Sequence, residues 1–210
     1  MAKPKPKYYV VWQGKETGVF DAWDKCKKQI HEVTGAQYKS FKTKEAAARA
    51  FEKSPQYFIG KKTFESEFSP EQLAKIGKPI LESVSVDAAY NGKEMEYKGV
   101  YTKTKQKLFK SGIFEDATNN IGEFLAIVHA LGYLKKQKSF APVYSDSLTA
   151  MSWIKNKHAK TKLVTTPANK SLFYLLDRAE KWLRENKYPN RLLKWETKAW
   201  GENPADFGRK

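Results

Sequence analysis

Apolar and polar positions fall into two patterned blocks separated by a proline-punctuated stretch. In residues 7–53 the run Tyr8-Tyr9-Val10-Val11-Trp12 predicts a strand, Lys15-Glu16-Thr17-Gly18 a turn, and Val19-Phe20 a returning strand. Asp21 or Asp24 is the expected cap of a helix reaching about Val33, which Thr34-Gly35-Ala36 breaks. Tyr38-Lys39-Ser40-Phe41 predicts a third strand. Thr43 is the expected cap of a second helix, in which Ala and Phe recur at helical spacing. Residues 54–78 read as a connector, marked by Ser54-Pro55, Ser69-Pro70 and Lys78-Pro79, with a short helix starting at Ser69-Pro70-Glu71-Gln72. In residues 79–210 the pattern changes to mixed α/β. Strands are expected over 81–88, 97–102 and 107–114, with turns at Asn91-Gly92 and Thr104-Lys105. A helix over 121–136 follows, with Phe124, Leu125, Val128, Leu131 and Leu134 on its apolar side. Then come a strand over 142–145, helices over 147–156 and 172–186, and a last strand over 192–197. The order is β-β-β-α-β-α-α-β.

Composition narrows what such a chain does. Its 210 residues carry a net charge of +16, with 39 Lys and Arg against 23 Asp and Glu, a balance suited to a polyanionic partner. A lysine-rich solvated surface would look the same, but aromatics make up 14% of the chain and offer stacking faces for bases or sugars. The single cysteine, Cys26, excludes an intramolecular disulfide and a cysteine-rich zinc site, and it reads as a small buried hydrophobe. His31, His129 and His158 have no metal-ligand spacing. The basic start, Met-Ala-Lys-Pro-Lys-Pro-Lys, has no apolar signal core behind it, and no apolar run is long enough for a membrane span. A soluble, cytoplasmic protein is expected, with no membrane and no obligate protein partner, as a monomer.

Four carboxylates lie in four separate contexts. Asp87 ends the strand-like run Leu81-Glu82-Ser83-Val84-Ser85-Val86-Asp87. Glu123 follows Thr118-Asn119-Asn120-Ile121-Gly122, Asp146 ends Val143-Tyr144-Ser145-Asp146, and Asp206 closes Gly201-Glu202-Asn203-Pro204-Ala205-Asp206. Brought together they repel, and divalent cations are the usual remedy. An acidic metal site inside a basic surface points to phosphodiester chemistry. Each residue also has an ordinary reading: Asp146 as a helix cap, Glu123 as a first-turn charge on the helix dipole, Asp206 as a turn residue, Asp87 as a solvated strand residue.

The order and flanking residues of these four motifs resemble the type 1 ribonuclease H family, and the tail Ala205-Asp206-Phe207-Gly208-Arg209-Lys210 resembles its compact bacterial subgroup. Tyr8-Tyr9-Val10-Val11, Gly14-Lys15-Glu16-Thr17-Gly18-Val19-Phe20, Trp23, Cys26 and Tyr38-Lys39-Ser40-Phe41 resemble the hybrid-binding (viroplasmin-like) domain that precedes many such nucleases. The resemblance implies an α/β ribonuclease H-like fold, a mixed five-stranded sheet with helices over 79–210, preceded by a small α+β hybrid-binding domain over 7–53. It implies an endoribonuclease that hydrolyses the RNA strand of RNA–DNA hybrids with two Mg²⁺ ions, Mn²⁺ as a substitute, leaving 5′-phosphate and 3′-hydroxyl ends. Asp87 would bridge both ions, Asp146 would serve the nucleophile side, Glu123 the leaving-group side, and Asp206 would complete the set. Glu202 would be a mobile fifth carboxylate for product release. Asn119, Asn120 and backbone near Ala88 and Ala89 would face the RNA. Thr118, Asn120, Thr161 and Thr197 would hold a DNA phosphate. In the N-terminal module, Trp23 and Tyr38 would pack on DNA sugars and Lys39 on a phosphate, with Tyr8 and Lys15 adding contacts.

The family's frequent Gln two positions after the third carboxylate is Leu148 here, and Lys198-Ala199-Trp200-Gly201 replaces its histidine-bearing loop. Two other classes therefore stay open: a hybrid-binding protein with a weakened site, and a DNA-directed nuclease of the same fold.

Overall fold

In a computed structural model, the structure describes residues 7–60, 64, 66 and 68–208. The basic leader ahead of Lys7 and the final Arg209-Lys210 lie outside the described residues. The chain divides into two compact units, residues 1–77 with 198–201, and residues 78–197 with 202–210.

The first unit contains β1 (Tyr8–Gln13), β2 (Gly18–Phe20), α1 (Trp23–Ile30), β3 (Gln37–Phe41), α2 (Lys44–Phe51) and, after a short turn of 3-10 helix at Pro55–Tyr57, α3 (Pro70–Ile76). The sheet order is β2-β1-β3, antiparallel throughout. Successive strand residues face opposite ways, and Val10 and Val11 are both fully buried, so central β1 is covered on two faces. Gly14 leads away from β1 so close to α1 that a Cβ there would lie 2.6 Å from the Gln29 carbonyl oxygen. Thr43 caps α2 by accepting from the Ala46 amide, and Ser69 with Gln72 forms a capping box on α3.

Two expectations change here. The N-cap of α1 is Ala22 with no side-chain cap; Asp21 instead pairs with Lys25 at 2.8 Å, and α1 stops at Ile30. The start of the expected connector also joins the core. Phe58 stacks on Trp12 at 5.6 Å between ring centres and meets Phe41 edge-on, because the five buried core residues Val10, Phe41, Ala46, Ala47 and Ala50 leave Trp12 to be covered.

The second unit runs β4 (Val84–Tyr90), β5 (Glu94–Tyr101), β6 (Lys107–Lys110), β7 (Phe114–Glu115), α4 (Asn119–Lys136), β8 (Val143–Ser145), α5 (Leu148–Asn156), α6 (Lys170–Glu185) and β9 (Leu192–Lys194); α7 (Thr197–Trp200) starts on the last residue of the stretch 78–197 and otherwise belongs to the first unit. The sheet order is β6-β5-β4-β8-β9, with β7 also on β5. β4, β5 and β6 pair antiparallel, whereas β8 pairs parallel to both β4 and β9. The sheet is mixed, as expected, but has six strands. The run over 107–114 splits because Ser111 leaves the ladder: its hydroxyl accepts from the Tyr97 amide and its own amide donates to the Tyr97 carbonyl. The last strand also stops at Lys194, and Thr197 opens α7.

The core lies between this sheet and α4, whose Ile121, Phe124, Leu125, Ile127 and Leu131 are buried. Trp153 on α5 packs against Phe124 as a core residue. No helix among the described residues is long and apolar enough to cross a membrane.

Candidate active site

Three expected carboxylates converge in the second unit. Asp87 is the fourth residue of β4, Asp146 follows the last residue of the parallel strand β8, and Glu123 lies in the second turn of α4. One oxygen from each lies within 4.8 Å of the others. The approach of α4 depends on Gly122, where a Cβ would stand 2.7 Å from Met95 Sδ and 2.8 Å from Ala88 Cβ. Any larger residue there would push Glu123 away from β4.

The ordinary readings of two carboxylates are displaced by neighbours. Ser147 caps α5 by accepting from the Ala150 amide, and Thr118 caps α4 by accepting from the Ile121 amide. Asp146 is therefore not needed as the cap of α5, and Glu123, the fifth residue of α4, lies beyond the first turn where its charge would serve the helix dipole. Glu123 is 3% exposed and Asp87 8%. Glu123 Oε1 accepts from the Ala88 amide at 3.4 Å, while Oε2 is buried without a hydrogen-bond partner among the described residues.

Burial of a charge without a counter-charge is costly, so both groups hold protons more tightly than usual. Burial pushes Asp87 up to about 7, and the charges of Asp146 and Asp206 add to this against a hydrogen bond shared with Glu123. Burial, then the Asp87 and Asp146 charges, push Glu123 up to about 9. An orphaned carboxylate oxygen beside two other hard oxygen donors fits a divalent cation, which would supply the missing positive charge.

Asp206 stands apart from the trio of oxygens and lines a cleft of 370 Å³ with Asp87, Ala88, Ala89, Tyr90, Asn91, Asn119 and Phe207. Its own turn explains this: Oδ2 accepts from the Gly208 amide at 2.8 Å. Glu202 is exposed. Asn119 and Asn120 are the first two residues of α4, and Asn119 faces the cleft with Ala88 and Ala89. Thr161 accepts from the Leu163 amide within its loop, and Thr197 is the first residue of α7.

Sequence reasoning missed Asn169, which is 1% exposed. Its amide donates to the carbonyl and carboxylate of Asp116 and to the Val164 carbonyl, and its oxygen accepts from the Thr166 amide. This ties the loop carrying Thr161 to the segment just before Thr118. An Asn ahead of a helix is so often a simple cap that its sequence carried no other signal. Leu148 opens α5 with its side chain 67% exposed. His158 is exposed and bonded to Glu180 at 3.0 Å, and His129 stacks on Phe109.

In the first unit, Trp23 and Tyr38 are 41% and 42% exposed and form a surface strip with Tyr9, at centroid distances of 5.4 Å for Tyr9–Trp23 and 5.8 Å for Trp23–Tyr38. Tyr8 lines a separate recess with Val19, Phe20, Asp21, Lys25 and Lys44. Lys39 Nζ donates to the Phe58 carbonyl at 2.6 Å. Lys15 is exposed, its backbone amide bonded to the Gln29 carbonyl.

These aromatics belong to a segment whose whole length, residues 7–51, matches the family model of the ribonuclease H1 N-terminal domain. The chain is 42% identical over 50 residues to a ribonuclease H of Crithidia fasciculata, covering 24% of this chain and 10% of that protein. It is 38% identical over 71 residues to ribonuclease H1 of Mus musculus, covering 34% and 25%. A transactivator/viroplasmin protein of Carnation etched ring virus is 28% identical over 98 residues, covering 40% and 20%. The chain thus spans between a tenth and a quarter of the length of these relatives. It resembles type 1 ribonuclease H carrying this N-terminal domain.

Proposed function

We propose that the chain is an endoribonuclease that hydrolyses the RNA strand of RNA–DNA hybrids and leaves 5′-phosphate and 3′-hydroxyl ends. The observation that carries this reading is the convergence of buried Asp87 and Glu123 with half-buried Asp146, with an orphaned Glu123 oxygen, in a chain of net charge +16. The ribonuclease H1 N-terminal domain over residues 7–51 supports the substrate class.

Asp87, Glu123 and Asp146, with Asp206 from the cleft wall, would hold two divalent cations, Mg²⁺ with Mn²⁺ as a substitute. Ions held by these residues would supply activation of a water and stabilisation of the leaving 3′ oxygen. The protein's own part would be to hold Asp87, Glu123 and Asp146 together beside β4, with a buried Glu123 oxygen left to a cation and Asp206 on the neighbouring cleft wall. Glu202, exposed and four residues before Asp206, would act as the mobile fifth carboxylate. Ala88, Ala89 and Asn119 on the cleft would meet the RNA minor groove, where the 2′-hydroxyl distinguishes RNA from DNA. Thr118, Asn120, Thr161 and Thr197 would take a DNA phosphate. Trp23 and Tyr38, with Tyr8, Lys15 and Lys39, would bind the hybrid through the first unit.

The test offers end-labelled RNA–DNA hybrid, double-stranded RNA and double-stranded DNA with Mg²⁺ to wild type and to Asp87→Asn. Cutting confined to the hybrid RNA and lost in the variant supports the proposal. Hybrid binding without cutting would make the chain a binding protein, and cutting of DNA would make it a nuclease of another class.

A further inference from the structure

β4 loses its neighbour beside the carboxylates. Its parallel pairing with β8 covers Val84 and Ser85 only. Along that edge the Val84 amide donates to the Pro142 carbonyl. Alternate residues of a strand present their backbone groups to the same edge, so Val86 and Ala88 face the same way with no strand among the described residues beside them. Two side chains fill the gap. Glu123 Oε1 accepts from the Ala88 amide, and Asn203 Nδ2 donates to the Val86 carbonyl at 2.8 Å. Asp87 lies between these two anchored positions.

Asn203 is 4% exposed and uses both ends of its amide. Its Oδ1 accepts from the Ala205 amide at 3.0 Å, and its backbone carbonyl accepts from the Asp206 amide at 2.8 Å. One side chain thus closes the turn that carries Asp206 and fastens that turn to β4 one residue ahead of Asp87. Beyond it, Lys98 Nζ donates to the Asp206 carbonyl at 3.3 Å and lies 4.3 Å from the Phe207 ring centre.

We propose that Asn203 is a positioning residue that sets the Asp206 carboxylate at the cleft by docking the C-terminal segment onto the edge of β4 vacated by β8. The inference rests on reading the carboxylates as the hydrolytic centre. Without the Asn203 amide, Val86 keeps a buried, unpaired carbonyl and the segment loses its tie to β4. Residues that orient a metal ligand characteristically cost about 10–100-fold in metal affinity or activity when removed.

The experiment compares wild type, Asn203→Ala, Asn203→Ser and Asp206→Asn by calorimetric Mn²⁺ titration, hybrid cleavage and thermal unfolding. Asn203→Ala is expected to lower Mn²⁺ affinity and kcat by about 10–100-fold with little change in KM for hybrid. Combined with Asp206→Asn, it adds no further loss. Asn203→Ser keeps an acceptor for the turn but is too short to reach Val86, so it should lose as much as alanine; it also carries the comparison where Asn203→Ala is too unstable to measure. Wild-type Mn²⁺ affinity and kcat in Asn203→Ala, or rescue by serine, would overturn the proposal, because a purely structural role lowers the unfolding temperature alone. A wild-type protein that binds Mn²⁺ through Asp206 yet cuts no hybrid would sink the nuclease reading and leave the positioning role standing on the titration.

Discussion

The two units carry their functional groups in opposite ways. In the first, Trp23 and Tyr38 lie on the surface, each about two-fifths exposed. In the second, Asp87 and Glu123 are buried beside the central strand, and burial pushes their pKa values up to about 7 and about 9. An exposed aromatic costs little to keep and gives a modest, substitutable contribution. A buried carboxylate cluster costs stability and can be repaid only by a cation. The contrast teaches where each kind of residue should be vulnerable: the first unit in affinity, the second in turnover, stability and metal dependence together.

The sharpest break between the two comes from Asp87→Asn. Cleavage should fall at least about 1000-fold, about 4 kcal/mol of transition-state stabilisation, while the metal-free variant unfolds at a higher temperature because one repelling charge is gone. Assays of cutting and melting on one preparation check both halves.

A second difference should appear on changing pH without metal. In an unfolded chain both carboxyls titrate at about 4. The folded values are higher, so the folded state binds the protons more tightly, and the stability this contributes is present at low pH and lost as pH rises from about 4 through 7 and 9. Inside that window, each carboxyl still protonated in the fold costs the protein about 1.4 kcal/mol of stability for every pH unit gained. Urea unfolding across that window should show the second unit weakening as pH rises, with Mg²⁺ removing most of the slope. A flat profile would mean that burial is not straining the pair.

Gly122→Ala tests how closely α4 must approach the sheet. The added Cβ meets Met95 and Ala88 at under 3 Å, so a loss of about 1–3 kcal/mol in stability is expected, with reduced metal affinity as Glu123 shifts. The smallest effect belongs to the first unit. Trp23→Ala should weaken hybrid binding by about 1–2 kcal/mol, raise KM and leave cutting measurable. Unchanged hybrid binding would remove Trp23 from the interface.

Much of this was legible from the chain. Polar–apolar periodicity located the strands and helices because each has one face on a core, and Thr43, Ser69 and Gln72 marked helix starts by their chemistry. The capping of α1 was misread because an aspartate at the right spacing can equally take a lysine partner, as Asp21 does. The split at Ser111 was invisible because a serine hydroxyl standing in for a strand neighbour leaves no mark on hydrophobic pattern. Phe58 looked like connector because the short run Tyr57-Phe58-Ile59, between Pro55 and Gly60, shows neither helical nor strand periodicity. Of the site, the four carboxylates stood out by their flanking motifs. Their unequal placement, three within 4.8 Å and Asp206 on the cleft wall, depends on the turn at Asp206–Gly208 and on Asn203, which sequence spacing does not encode.

The central claim is that the buried carboxylates are held together at a cost that a divalent cation removes. Calorimetric titration of wild type and Asp87→Asn with Mn²⁺ at neutral pH, in two buffers of different ionisation enthalpy, tests it most directly. The account predicts saturable binding with release of a proton from the Asp87–Glu123 pair, and loss of both binding and proton release in the variant. Binding with no proton release, or binding that survives Asp87→Asn unchanged, would contradict it.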